Sequence, residues 1–184
     1  FTLLGSATYL GNSYIEMAGN TGAVAYEDKS LPIYPQDGFD LELDFMATSL
    51  EPYTGGSGGS YATIATFLSP STILKSLNVQ IDLSNSFLVV SLFGATVTTD
   101  PVSLNNLTRV RIIYTKADSK LTVIYAGSIY SATVNTTSTS FRYRNRNSLQ
   151  LGNYYQPTNT FAANGNFRFY GVRLRSPTGK VEPI

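Results

Sequence analysis

Residues 107–127 read LTRVRIIYTKADSKLTVIYAG, which is a strand, a polar turn and a second strand in one phrase. Ile112 and Tyr114 fall on one face of the first strand, and apolar residues also alternate in the second. A similar phrase closes the chain, with LQLG over residues 149–152 and GNFRFYGVRL over residues 165–174. Both phrases predict antiparallel β-strands that bury one face.

The same pattern extends upstream, where candidate strands recur at short intervals between Gly, Asn, Pro and Asp. The clearest strand, FDLELDF over residues 39–45, places its Phe and Leu side chains on one face and its carboxylates on the other. No helical period is sustained, so we expect helix to be nearly absent. The pattern predicts one all-β domain over residues 1–184, with antiparallel strands in two packed sheets. The residues expected inside are Phe39, Leu41, Leu43, Val89, Val110, Ile112, Leu121, Val123, Phe167 and Phe169.

Two strands carry finer predictions. The run FLVVSLF over residues 87–93 is nearly continuous in apolar residues, which favours a strand covered on both faces. In the last strand, Phe167 and Phe169 are out of phase with Val172 and Leu174. A β-bulge at Tyr170-Gly171 would turn all four side chains inward.

The composition excludes several classes of site. Histidine, cysteine and tryptophan are absent from the 184 residues, which removes disulfides, Cys-based zinc sites and His-based triads. The net charge of +1 with 14% charged residues is too balanced for a nucleic-acid or anionic-membrane surface. No apolar run approaches the ~20 residues that span a bilayer, so we expect no membrane insertion. The start at Phe1, without a signal peptide or initiator methionine, suggests a processed chain or an excised domain.

The opening of the chain adds three phrases: LGSA over residues 4–7, IEM over residues 15–17 and GAVAY over residues 22–26. With the strand of alternating Phe that follows and the closing phrases, they resemble the concanavalin A-like lectin/glucanase superfamily, in particular its L-type lectin and laminin G-like domains. The resemblance covers nearly the whole chain and implies a jelly-roll sandwich. It implies little about function, because this fold hosts lectins, adhesion modules, glycanases and structural domains.

The legume-type metal site of that superfamily is matched only in part. The segment VQID over residues 79–82 keeps Asp82 but has Gln80 where the family pattern has Glu. The Gly/Ser tract of residues 54–60 replaces an Ala-Asp-Gly turn, and the histidine of the pattern is missing. We therefore expect no metal and no cofactor. A calcium site built from Asp82, Asn85 and backbone carbonyls stays an open alternative.

Asp40, Glu42 and Asp44 share one strand face, with alternate residues ~6.5–7 Å apart. Glycanases of the superfamily also carry carboxylates on one strand face, but their Glu-x-Asp-x-x-Glu motif and their cleft tryptophans are missing here. We therefore interpret the three carboxylates as a solvated or salt-bridged face. The arginines of RYRNR over residues 142–146 are expected to pair with carboxylates or, alternatively, with acidic glycans.

The polar loop NYYQPTN over residues 153–159 is the main candidate for ligand binding. In sandwich lectins, loop Asn and Asp side chains hold a sugar above an aromatic ring, and tyrosine combines an apolar ring with a polar tip. The alternative is that these tyrosines pack the rim of the sandwich. The predicted ligand-binding residues are Asn153, Tyr154, Tyr155, Asn159, Tyr53, Tyr61, Asp82 and Asn85.

The sequence favours a non-catalytic recognition module, lectin-like and glycan-binding, and therefore not an enzyme. One alternative is a structural or receptor-binding module of a virion, such as a phage tail, fibre or capsid decoration. The other is a glycan hydrolase or lyase. The expected partner is a glycan or a cell-surface receptor, met outside the cell, at the cell surface or at a virion surface. Weak single-site sugar binding favours a homo-oligomer or a multi-copy assembly.

Overall fold

The computed structural model describes most of the chain as a series of strands and turns. The described residues are 2–4, 8–10, 14–17, 24–26, 35–51, 60–68, 75–136, 148–152, 155–156, 159–160, 165–176 and 181–182. The strands in these segments are β1 (Thr2–Leu4), β2 (Thr8–Leu10), β3 (Tyr14–Met17), β4 (Val24–Tyr26), β5 (Phe39–Ser49), β6 (Tyr61–Leu68), β7 (Lys75–Asp82), β8 (Phe87–Leu92), β9 (Ala95–Pro101), β10 (Thr108–Thr115), β11 (Lys120–Tyr125), β12 (Ser128–Thr133), β13 (Ser148–Gly152), β14 (Tyr155–Gln156), β15 (Asn159–Thr160), β16 (Asn166–Arg175) and β17 (Val181–Glu182).

Within these segments the strands form two large antiparallel sheets that share one core. The seven-stranded sheet has the order β1-β4-β13-β6-β7-β8-β9. The eight-stranded sheet has the order β12-β11-β10-β5-β16-β3-β2, with β17 paired to β16. Strands β14 and β15 form a separate hairpin. This architecture confirms the predicted all-β, two-sheet jelly-roll sandwich.

Helical structure is confined, among the described residues, to one turn of 3-10 helix at Pro35–Asp37. No helix in the described segments is long and apolar enough to cross a membrane.

Side-chain alternation fills the space between the sheets. In β10, Val110, Ile112 and Tyr114 are fully buried, and Ile112 pairs with Leu41 on one side and Val123 on the other. Neighbouring strands therefore contribute to one continuous apolar layer, the arrangement expected when each strand alternates inward and outward residues.

One residue expected in the core lies elsewhere. Val89 is half-buried on the outer face, because β8 alternates and turns Leu88, Val90 and Leu92 inward. The prediction of a strand covered on both faces is therefore wrong. A continuous apolar run has no phase of its own, so packing against the opposite sheet decides which side chains point inward.

The predicted bulge in the last strand is confirmed. The register of β16 against β5 shifts between Phe169 and Gly171, which leaves Tyr170 as the extra residue. Phe169 and Leu174, on either side of the bulge, are both buried. A Cβ atom on Gly171 would lie 3.0 Å from Oδ2 of Asp44, so this close approach favours glycine.

Candidate functional site

The two sheets present chemically different outer surfaces. We call seven outward ionic side chains of β5, β10 and β16 the charged face: Asp40, Glu42, Asp44, Arg109, Arg111, Arg173 and Arg175. We call the outward uncharged polar side chains of the seven-stranded sheet the neutral face, which consists of Thr63, Thr66, Asn78, Gln80, Ser91, Thr96, Thr98 and Gln150.

The charged face is a lattice of ion pairs. Arg109 donates two hydrogen bonds to Asp44, at 2.6 and 3.0 Å, and Arg111 donates two to Asp40, at 2.9 and 2.7 Å. These are the two-point contacts that the planar guanidinium forms with a carboxylate. The geometry confirms the predicted salt-bridged face. The arginines of residues 142–146 lie outside the described residues. The described partners of these carboxylates come from β10 and β16.

These pairings make the charged face unsuited to proton transfer. The hydrogen bond from Arg109 holds the pKa of Asp44 below its ordinary value, against the opposing effect of burial. Hydrogen bonds to Asp44 and Asp40 raise the pKa values of Arg109 and Arg111, respectively. Asp44 is therefore held in its ionised form, which has no proton to donate. Glu42 accepts a hydrogen bond from Arg173.

The neutral face is organised in rows that cross the strands. One row runs through directly paired residues of five strands, from Gln150 through Thr66, Asn78 and Ser91 to Thr96. With strands ~4.8 Å apart, this row spans about 19 Å. The next row contains Thr63, Gln80, Val89 and Thr98. The sheet therefore places hydroxyl and amide groups in an ordered array.

The centre of the neutral face is sheltered from solvent. Thr66 is 0% exposed and Gln150 is 3% exposed, although both lie on the outer side of the sheet. The hydroxyl of Thr66 donates to the carbonyl of Leu77 at 2.7 Å, and Nε2 of Gln80 donates to Thr63 at 3.3 Å. A sheltered polar group forms stronger hydrogen bonds than one in water, provided that a partner is present.

One acceptor on this face has no partner. Oδ1 of Asn78 is buried and accepts no hydrogen bond within the described structure. A buried acceptor without a partner destabilises the folded state.

Tyr61 lies directly opposite Asp82 at the end of β6 and β7, and its side chain is exposed. Oδ1 of Asp82 accepts hydrogen bonds from the backbone N–H and the hydroxyl of Ser84, at 2.9 and 2.7 Å. These bonds hold the pKa of Asp82 below its ordinary value. Asn85 accepts a bond from the backbone N–H of Phe87 at 2.9 Å. Asp82 and Asn85 therefore build the turn between β7 and β8.

The other predicted ligand-binding residues have less structural description. Asn153, Tyr154 and Tyr53 lie outside the described residues. Tyr155 and Asn159 lie on the β14–β15 hairpin, where the backbone pairs Tyr155 with Thr160 and Asn159 with Gln156. Among the described residues, no group of three or more acidic side chains could hold a metal ion. The binding roles of all eight predicted residues stay predictions.

The neutral-face residues were not among the predicted site residues. The signal was present as strict alternation in LNVQID over residues 77–82 and in LQL over residues 149–151. Such alternation predicts which side chains point outward, but it does not show that Gln150, Thr66 and Asn78 lie in one row. That alignment depends on the pairing of strands that are far apart in sequence.

No family model matches the sequence, and no curated protein matches it significantly. Solved structures with the same fold do match. The alginate lyase AlyC3 aligns with 89% of this chain and 75% of its own, at a TM-score of 0.60 and 9% identity. The family 7 alginate lyase A1-II', solved with a substrate, aligns with 93% of this chain and 80% of its own, at a TM-score of 0.60 and 11% identity.

A sialidase of Trypanosoma rangeli aligns with 91% of this chain at a TM-score of 0.65 and 14% identity, but this chain spans only 26% of the sialidase. The chain also spans 58% of the alginate lyase AlgAT5. At these identities the likeness establishes the fold alone, a two-sheet jelly-roll sandwich.

The comparisons contradict the prediction of a non-catalytic module. Several of the structures that share the fold over about nine tenths of this chain are alginate lyases, and two of them were solved with a substrate or a product. The preference for a lectin-like or virion module, and with it the prediction that the chain is not an enzyme, is therefore corrected. Several of the neighbours are alginate lyases or a sialidase, whereas another is the extracellular region of zebrafish Gpr126/Adgrg6.

Proposed function

We propose that this protein is a polysaccharide-degrading enzyme that holds its substrate across the neutral face. The main support is the row of uncharged hydrogen-bonding side chains that crosses five strands of the neutral face. This row contains Asn78, whose Oδ1 has no hydrogen-bond partner within the described structure. Sugars present many hydroxyl groups, each a donor and an acceptor, and amides and hydroxyls complement both roles. The fold neighbours support this proposal, because several are alginate lyases.

A polyuronate is the substrate class we propose first. Amide N–H groups such as those of Gln80 donate hydrogen bonds to a carboxylate without leaving a fixed charge in the empty site. Hydrogen bonds that draw charge from the uronate carboxylate make the adjacent C–H more acidic, which is the first requirement of a β-elimination. The reaction then needs a group that removes this proton and one that protonates the leaving oxygen.

Tyr61 is the side chain we propose for proton transfer. The sequence contains no histidine, which leaves tyrosine among the residue types used for general acid–base catalysis. Tyr61 is exposed at the end of β6, beside the neutral face, and lies opposite Asp82. Because its hydrogen bonds with Ser84 favour the ionised form, Asp82 is the less suitable proton donor of the two.

The test is the turnover of alginate, measured by two assays. The absorbance of the unsaturated uronate detects a lyase, whereas the number of reducing ends increases with either a lyase or a hydrolase. We expect both signals to rise. Tyr61→Phe should lower kcat about 100-fold, the scale of one acid–base group. Gln80→Ala should lower kcat/KM about threefold to tenfold, the scale of one hydrogen bond.

Ser131→Ala is the matched control, because Ser131 is exposed on β12 of the other sheet. It should leave turnover unchanged. Reducing ends without absorbance would assign hydrolysis rather than elimination. Failure of the wild-type protein to cleave alginate, pectate or a neutral β-glucan would contradict the proposal.

The remaining expectations follow from the same proposal. A polymeric substrate places the enzyme outside the cell or at its surface, and a mass measurement in solution tests the expected homo-oligomer. A particular resemblance of this chain to L-type lectin or laminin G-like domains stays a prediction.

A further inference from the structure

A groove of about 610 Å³ lies on the charged face, on the opposite side of the sandwich from the neutral face. Its volume falls in the ~300–1,000 Å³ range of small-ligand sites. Arg109 and Arg111 line it together with Asn106, Leu107 and Ile124. Because this groove opens on the other sheet, it does not belong to the proposed catalytic site.

More arginines than carboxylates line the groove, with Arg109 and Arg111 set against Glu42 alone. Arg173 donates a hydrogen bond to Glu42. The side chains of Arg109 and Arg111 are 65% and 42% exposed, so both are accessible to a ligand.

Each of these two arginines keeps hydrogen-bonding capacity. Arg109 and Arg111 bind Asp44 and Asp40 through Nε and Nη2, and within the described residues the Nη1 group of each makes no hydrogen bond. A guanidinium has five N–H donors in a fork that matches a carboxylate. The ion pairs to Asp44 and Asp40 fix the orientation of both side chains without using all their donors.

The wall of the groove is apolar. Leu107 is 61% exposed, and Ile124 lies beside Arg111 in the next strand. Exposed Asn106 supplies an amide at the rim. A uronate combines a carboxylate, hydroxyl groups and an apolar ring face, so its chemistry matches the arginines, the amide and the apolar wall respectively.

We propose that this groove is a second, non-catalytic binding site for an acidic sugar unit, a uronate of a polysaccharide chain. Its carboxylate binds Nη1 of Arg109 and Arg111, and its apolar ring face packs on Leu107. The proposal deepens the proposed function, because a polymer held here stays close to the enzyme between cleavage events. Its test measures binding at the groove, which does not depend on turnover.

The experiment is a titration of ¹⁵N-labelled protein with a tetrasaccharide of alginate, followed by the amide signals of Leu107 and Gly127. We expect saturable shifts there, which a neutral cello-oligosaccharide does not produce. Asn106→Asp adds a negative charge to the rim and leaves the ion pairs intact. It should weaken binding about fivefold, the effect of one like charge a few ångströms away in water.

Asn135→Asp is the matched control, since Asn135 is exposed beyond β12, near the opposite end of the β10–β11 pair. It should leave the affinity unchanged. Equal weakening by the two variants, equal binding of the neutral sugar, or no shifts in the wild-type protein would each overturn the proposal. Retained binding in Gln80→Ala would show that the groove is separate from the neutral face, whatever the outcome for catalysis.

Discussion

The charged face and the neutral face are built on the same sandwich but satisfy their polar groups in different ways. On the charged face, each carboxylate is held by at least one guanidinium of a neighbouring strand. On the neutral face, Asn78 keeps a buried acceptor without a partner, and the hydrogen bond between Gln80 and Thr63 is long at 3.3 Å. The carboxylates of the charged face therefore have their partners within the fold, whereas the neutral face keeps a buried acceptor that the described fold leaves unsatisfied.

The largest expected effect comes from the core that both faces share. Ile112→Ala should lower the free energy of unfolding by about 2–5 kcal/mol, because Ile112 is fully buried between the sheets. Ile113→Ala is the matched control on the same strand. Ile113 is half-buried on the outer side, so its truncation should cost about 1 kcal/mol or less. Chemical denaturation measures both, and equal losses would contradict the assignment of inner and outer faces.

The charged face should lose stability when one carboxylate is neutralised. Asp44→Asn removes the negative charge that pairs with Arg109 and Arg173. We expect the free energy of unfolding to fall by about 1–3 kcal/mol.

Acid should have the same effect on the wild-type protein. The folded-state pKa of Asp44 is lowered from 3.8, so its contribution is present above that value and is lost as the pH falls through the lowered pKa. Denaturation at pH 7 and below pH 4 measures this. An Asp44→Asn variant that lost as much stability in acid as the wild type would contradict this role of Asp44.

A substitution on the neutral face should change the free energy of unfolding in the opposite direction. Asn78→Val removes a buried acceptor that has no partner, so the free energy of unfolding should stay unchanged or rise by about 1 kcal/mol. Alginate turnover should fall in the same variant if this face holds the substrate. A destabilised variant would show that Asn78 has a structural role, and an unchanged turnover would remove it from the site.

The smallest effect concerns a buried hydroxyl in the core. Burial raises the pKa of Tyr114 above 10.0, with a further contribution from Asp37, and its hydroxyl has no hydrogen-bond partner in the described structure. Because the folded-state pKa is raised, the neutral hydroxyl group makes its full contribution to stability below pH 10. This contribution is lost as the pH rises further. Tyr114→Phe should therefore lessen the loss of stability above pH 10. Absorbance of phenolate follows the ionisation, and a Tyr114 that ionises at the ordinary pKa of tyrosine would contradict its burial.

The sequence by itself determined the alternation within each strand. It predicted that Phe39, Leu41 and Leu43 point inward, that the carboxylates between them point outward, and that β16 contains a bulge before Gly171. These features depend on the two-residue period of a strand and on phase shifts within it, which neighbouring residues specify.

The tertiary structure decided how the strands are aligned. Arg109 and Arg111 pair with carboxylates of β5, and Gln150 lies in one row with Thr66 and Asn78. Val89 points outward for the same reason, since an apolar run takes its phase from the sheet that it packs against. Period is a local property of the chain, whereas register and the choice of strand neighbours depend on contacts between residues far apart in sequence.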